Sequence, residues 1–313
     1  MLGNEGLSIF GDTRTEDTLL ALAGMGMGRT YYVNNISGAS GNDGLSWNSA
    51  FAQPSQAIAA SETFRELGGG TPLVTTNDYI PNAIVIQGTG TAYTGITDLG
   101  ERCYIIGLSA GLMRDGGSGQ VRIGAADTDG CDIAAGHVRG MTIYNIQFMG
   151  GGNNMYAFRA PNYIQRSRFQ DVTFMQAGAD LEALFYATNM SGSIMERCHF
   201  TDNQGGTKVL YAMQLAAASS DNLITGCTFS QGTTALVALA AGNHVGTNFI
   251  GNIFSPIALS AIGFYDLDIA GYAGLYGNFF ASTTQITDRI SRLVDGRSGG
   301  NLSESGYINA ATE

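Results

Sequence analysis

Apolar residues recur along this chain at a fixed long interval, not in a helical or a simple alternating run. Phe158, Leu184, Leu210, Leu236 and Ile262 follow one another every 26 residues, and a second column, Phe148, Phe174, Phe200, Phe229, Phe254 and Phe280, is spaced 26, 26, 29, 25 and 26. A period in the twenties marks a solenoid, in which no repeat buries its own core and each stacks on its neighbours. Five residues before each phenylalanine stand Ile143, Phe169, Met195, Ile224, Phe249 and Leu275; two before it stand Ile146, Val172, Cys198, Cys227, Asn252 and Asn278. Strand side chains alternate between faces, so each phenylalanine and the residue two before it share one face. Its apolar or small character turns that face inward. The first column continues the same way, with Ala160, Tyr186, Ala212, Ala238 and Phe264 two residues on.

The phrases are too short, too glycine-rich and too rich in β-branched and aromatic residues for helical repeats. With 45 glycines and only 13% charged residues, long helices are also disfavoured, and the Leu-x-x-Leu-x-Leu signature of leucine-rich repeats is absent. A parallel β-helix fits, each coil hydrogen-bonding to the next about 4.8 Å above. The column that ends in Asn252 and Asn278 supports this, since stacked asparagines form amide ladders and small thiols fill the same interior notch. On these residues the chain resembles the right-handed parallel β-helix proteins of the pectate-lyase-like superfamily, over roughly residues 31–283. The resemblance implies an all-β, right-handed, single-stranded parallel β-helix with a short N-terminal capping helix. It implies no particular chemistry, because the fold hosts many activities.

Four segments are expected. Residues 1–30 read either as a loose terminus or as a docking arm, and the sequence favours neither. Residues 31–70 form an entry: a strand at Tyr31-Tyr32-Val33, a turn-rich loop through Asn42-Asp43-Gly44, Ser46-Trp47, Ala50-Phe51, then a helix. Ala57, Ala60, Phe64 and Leu67 recur on one helical face, Pro54 sits near its start and Gly68-Gly69-Gly70 ends it. This opening resembles the entry of many β-helix proteins of phages and secreted polysaccharide enzymes, where the helix caps the base of the coil. The β-helix is expected over 71–283, and 284–313 is expected to leave the repeat as a closing segment.

Composition narrows the function. The net charge is −11 and Lys208 is the only lysine, which argues against nucleic acid or an anionic membrane held by a basic patch. No apolar stretch is long enough to insert in a membrane, and no signal peptide is read at the N-terminus. Cys103 and Cys131 lie 28 apart and Cys198 and Cys227 lie 29 apart, about one coil each, so they read as free interior thiols and not as a metal site. No cofactor is implied. Glu182 with Lys208, and Asp171 with Arg197, are each 26 apart and are expected to form exposed ion pairs between coils. The phrases typical of pectate lyases and polygalacturonases are missing. One region keeps an enzyme reading open: the turns near 217–221, 243–246 and 266–272 lengthen on one side, where Asp221, His244, Asp266 and Asp268 are candidates to line a cleft. Two carboxylates flanking a bond hydrolyse glycosides; the plainer reading is that they are turn residues.

The sequence therefore points first to a structural virion protein of a tailed bacteriophage, a capsid decoration or head spike or a small tail-fibre component. Such a protein would sit on the particle surface, attach through residues 1–30, contact host surface glycans and assemble as a homotrimer. The alternative is a carbohydrate-active β-helix enzyme, a polysaccharide lyase or glycosidase depolymerase.

Overall fold

The structure is a computed structural model that describes residues 28–66, 81–109, 121–125, 129–133, 137–151, 156–178, 181–202, 209–230, 232–240, 244–255, 262–266, 273–281, 290–291, 298–303 and 306–308. Among them the chain passes through three sheets in turn, coil after coil. Arg168–Gln170 lies in the first, Thr173–Gln176 in the second and Leu181–Ser191 in the third, and Ile194–Glu196 begins the next coil. The first sheet has ten strands, the second nine and the third eight, and every recorded strand pairing is parallel except the last, Asn301–Ser303 with Gly306–Ile308.

The phenylalanine column is in register across the second sheet: Phe148, Phe174, Phe200, Phe229, Phe254 and Phe280 pair successively. Their rings stack inside the coil at centroid distances of 6.0, 5.0, 4.5, 5.0 and 4.6 Å. The companion column of Ile143, Phe169, Met195, Ile224, Phe249 and Leu275 is likewise in register in the first sheet and buried.

The third sheet departs from the 26-residue spacing. Phe158 pairs with Phe185 and not with Leu184, and the column continues through Met213, Val237 and Phe264. Leu184 and Leu236 are buried, but Leu210 is 41% exposed, so it does not belong to the core ladder. Tyr186 stands beside Arg159 and is only half-buried, again one position off the expected inward column. The physical reason is that a constant spacing in sequence fixes register only where coils are equally long. In this sheet corner insertions and a β-bulge between Ala187 and Asn189 shift the pairing. Ile262 pairs with Ala235 and not with Leu236.

The entry strand Thr30–Val33 is the first strand of the first sheet, so the coil begins before the helix. Helix α1 (Pro54–Glu66) follows, with Pro54 in its first turn and the Gln56 side chain accepting from the backbone N–H of Ala52 and Gln53. It buries Ala57, Ile58, Ser61 and Arg65. The face is rotated from the expected one: Phe64 is half-buried under the Arg29 guanidinium, 4.2 Å from its ring centroid, and Leu67 lies outside the described residues. Tyr31 donates to Ala60 O and Asn82 to Ser61, and Ala57 and Ile58 belong to the same core as the inward strand residues. Trp47 covers Tyr32 on the outer face of the sheet at 4.7 Å.

At the other end the expected departure from the repeat does not occur. Ile290–Ser291, Ser298–Gly299 and Asn301–Ser303 extend the third, first and second sheets, and Gly306–Ile308 folds back on the last of these. Of the expected arm, residues 1–27 lie outside the described residues.

Exposure of Leu210 and burial of Met213 separate the two registers. Leu210→Asp is expected to change stability by less than about 0.5 kcal/mol as a surface substitution, whereas Met213→Asp places an unpaired carboxylate in the core and is expected to cost more than about 3 kcal/mol. Denaturant melts of the two variants check this, and equal losses would restore the 26-residue register.

Candidate functional site

Two corners of the coil are made by residues whose backbone is left-handed. Between the third and first sheets these are Arg102, Gly140, Arg166, Gly192, Asp221 and Gly246; between the first and second they are Asn145, Asp171, Arg197, Gly226, Gly251, Gly277 and Gly300. Most of them turn the chain sharply while the N–H bonds to the next coil, as Arg166 N does to Ser191 O at 2.9 Å. Where a large side chain occupies the position, glycine often stands above it. A Cβ on Gly140 would meet Arg102 Cγ at 3.2 Å, and one on Gly192 would meet Arg166 Cγ at 3.6 Å.

Inside both corners run polar ladders. At the second, Cys227 N, Asn252 N and Asn278 N donate to the Oδ1 of Asn252, Asn278 and Asn301 at 2.8, 2.8 and 3.0 Å, and each asparagine amide also donates to a carbonyl of the preceding coil. At the first, Ser167, Ser193 and Asn222 accept from the backbone N–H of Met141, Ser167 and Ser193, and Asn222 donates to Thr247. These buried groups are paired, as the interior requires. The four cysteines are free and buried. Cys198 N donates to Cys227 Sγ at 3.4 Å, so this pair does share a column; Cys103 and Cys131 do not, lying in the first and third sheets.

The expected Asp171–Arg197 pair forms between coils and is bidentate, with Nε–Oδ1 2.8 Å and Nη2–Oδ2 2.7 Å. Asp171 is nearly buried instead of exposed, and Arg197 also reaches Glu196, which Arg168 contacts in turn. The carboxylates hold Arg197 firmly protonated, the Asp171 hydrogen bond being the largest influence. Lys208 lies outside the described residues; Glu182 accepts from the Tyr156 hydroxyl of the preceding coil.

A groove of about 590 Å³ follows the outside of the first corner. Its floor is the column Arg102, Gly140, Arg166, Gly192, Asp221; its wall includes Arg139, Gln165, Ser191 and Ser220 on successive coils. Arg139 Nε donates to Gln165 Oε1 at 3.3 Å, and its Nη1 lies 3.8 Å from Glu101. On the same outward face of the strand carrying Gln165, Tyr163 is 44% exposed and lies against His137, ring centroids 5.2 Å apart.

The four residues of the enzyme reading are distributed differently. Asp221 is exposed at the upper end of this groove, beneath Gly246. His244 is fully buried, its Nε2 2.9 Å from Ala240 O, and so does not share a solvent-lined cleft with Asp221. Asp266 is placed only as a strand backbone paired with Leu239, and Asp268 lies outside the described residues. Among the described residues no group of three His, Cys, Asp or Glu side chains is arranged to hold a metal.

The sequence profile described as a right-handed beta helix region matches residues 102–279, more than half of the chain. The chain belongs to the right-handed β-helix family. No curated protein of matching sequence was found. Membership of this family fits carbohydrate-active and structural proteins generally. No helix among the described residues is long and apolar enough to cross a membrane.

Of the groove residues the sequence analysis singled out Asp221 alone, although a signal for the others was present: Gly140, Arg166 and Gly192 are 26 apart, as are Arg139, Gln165 and Ser191.

A second exterior feature lies farther along the coil. On the outer faces beside the second corner, Ile250, Ile253, Tyr276, Phe279 and Leu302 are all 37–44% exposed. Ile250 pairs with Tyr276, and Ile253, Phe279 and Leu302 pair in succession, so the five form one stripe. On the three coils below, the equivalent outward positions are polar, Gln170, Glu196 and Thr225 in one column and Thr173, His199 and Thr228 in the other; farther down, the first column is apolar again but covered, with Tyr144, Ile106 and Val85 buried.

The interior predicts alkaline sensitivity. Burial pushes the Cys103 thiol from 9.0 up to about 12 and the Tyr93 hydroxyl up to about 12, and raises Cys131 and Cys198 well above the usual thiol range. Below pH ~9 both states keep these protons; above it only the unfolded chain releases them, so stability is lost as the pH rises from about 9 toward 12. Chemical denaturation at pH 7, 9 and 10.5 is expected to show a flat stretch and then a fall, with the thiols inert to Ellman's reagent until unfolding. Prompt reaction of the thiols in the native protein would contradict their burial.

Proposed function

We propose that the protein is a structural component of a bacteriophage particle, a capsid decoration or head spike or a small tail-fibre element, that assembles as a homotrimer on the virion surface. The observation that supports this reading is the exposed apolar stripe of Ile250, Ile253, Tyr276, Phe279 and Leu302, on columns that are polar over the three coils below. A contiguous apolar patch of this kind marks a contact surface, and a rod that meets copies of itself along its flank buries such a stripe about a rotation axis. The inward His244 points the same way: its ring is buried in the coil and is withdrawn from acid–base chemistry at the surface.

Light scattering on the purified protein tests the assembly. A trimer is expected, and Ile253→Ser combined with Phe279→Ser is expected to yield monomers with unchanged far-ultraviolet circular dichroism. A monomeric parent protein overturns the trimer. Incubation with a panel of bacterial polysaccharides is expected to give no shortening of any of them; turnover abolished by Asp221→Asn would instead establish the depolymerase reading.

A further inference from the structure

The apolar stripe straddles a corner that carries no side chains. Gly251, Gly277 and Gly300 make the turn there with φ of 63°, 61° and 66°, and a Cβ added at Gly251 or Gly277 would meet nothing within 4 Å. Ile250 and Tyr276 flank this bare ridge on the first sheet, and Ile253, Phe279 and Leu302 flank it on the second. On lower coils the same turn carries Asn145, Asp171 and Arg197. A polypeptide laid along the ridge approaches the backbone closely and reaches both apolar flanks at once.

The stripe is too small to hold copies of the chain together by itself. Five side chains of this size, each about two-fifths exposed, present roughly 400 Å². A stable interface takes about 800 Å² from each partner, so further area has to come from another segment. Across this corner the chain is described without a break on all three coils, and the stretches 256–261, 267–272, 282–289 and 292–297 connect the other two corners. Residues 309–313 hold no large apolar side chain, whereas residues 1–27 place Leu7, Ile9 and Phe10 within four positions. Side chains of an extended chain alternate, so Leu7 and Ile9 serve one flank of a ridge and Phe10 the other.

Reach selects the same residues. Gly28 N bonds to Pro81 O at the base of the first sheet, and Ile250 and Tyr276 lie seven and eight strands farther along that sheet, about 34–38 Å at ~4.8 Å per coil. The run Leu19-Leu20-Ala21-Leu22 extends no more than about 30 Å from Gly28 and falls short, while Phe10 extends up to about 60 Å.

We propose that Leu7, Ile9 and Phe10 of one copy dock along the glycine ridge of a neighbouring copy, so that the stripe is covered by a segment exchanged between subunits. The proposal rests on the reading of the protein as a self-assembling particle component and names what completes that contact. Exchange is preferred to closure on the same copy because it alone adds area between subunits.

A fluorescent peptide of residues 1–14 is titrated by anisotropy into the full chain carrying Ile9→Ser and Phe10→Ser, in which the chain's own segment no longer competes. It is expected to bind, and to bind at least about tenfold more weakly when the peptide itself carries the two serines or when the protein also carries Ile253→Ser and Phe279→Ser. Gly277→Asn puts a side chain on the ridge at a left-handed position that asparagine tolerates, and is expected to weaken the peptide with unchanged circular dichroism. Light scattering on Ile9→Ser with Phe10→Ser is expected to show monomers where the parent is a trimer. A peptide that does not bind, or that binds equally well with the serines, overturns the proposal. A trimer whose mass and melting temperature survive Ile9→Ser with Phe10→Ser overturns the exchange and leaves the trimer reading standing. A monomeric parent whose stripe still captures the peptide refutes the trimer reading and leaves the docking on the ridge standing.

Discussion

Every coil of this protein must lie on the next at a step of about 4.8 Å, and from that spacing the rest follows. At such a separation each side chain has as its nearest neighbours the side chains of the same position one coil below and above. Columns of like residues, or of apolar residues of similar volume, fill that space. Six phenylalanines therefore stack nearly face to face, and asparagines donate to asparagines. A single buried ring contributes its apolar area, but a stack also adds ring-to-ring contacts of about 0.5–1.5 kcal/mol each. The same rule makes a solenoid intolerant of a lone wrong residue, because each residue serves as the floor of one layer and the ceiling of another.

Legibility in the sequence followed from where this rule is strict. In the second sheet the chain makes no insertion between Ile143 and Phe148 or between their counterparts, so sequence spacing and spatial register coincide and the columns were readable. In the third sheet the strands follow corners of variable length. Phe158, Phe185, Met213, Val237 and Phe264 are 27, 28, 24 and 27 residues apart, a column no constant period finds, and Leu210 was placed inside although it faces outward. The asparagine ladder was visible as a column of identical residues, but its last member, Asn301, stands 23 residues after Asn278 and was missed with the final coil. The serine, asparagine and threonine ladder at the other corner was not visible at all, since its members share hydrogen-bonding capacity and not identity. Of the suggested catalytic residues, His244 shows the limit plainly. Sequence puts it in a lengthened turn, and the fold turns its ring into the core.

The exterior is free of the stacking rule, and there the coils diverge from one another. The middle coils carry charge pairs and the arginine groove, while the upper coils carry an exposed apolar stripe in columns that are polar on the three coils beneath. Two surfaces on different coils of one rigid rod can act independently, because the uniform core transmits little difference between them.

Two of the left-handed arginines, one at each corner, meet the same backbone strain differently. A non-glycine residue held at positive φ is strained by about 1–3 kcal/mol, and such strain persists only where surroundings enforce it. Arg197, at φ 51°, gains a bidentate pair with a nearly buried Asp171 and a further contact with Glu196, interactions that offset the strain within the fold itself. Arg166, at φ 47°, has the same backbone but no such ion pair among the described residues, and its stem lies under Gly192 at the edge of the groove. Among the described residues the same left-handed turn is thus met by ion pairs at Arg197 and by none at Arg166, so the corner geometry is imposed by the stacking of the coils and not by what the side chain reaches.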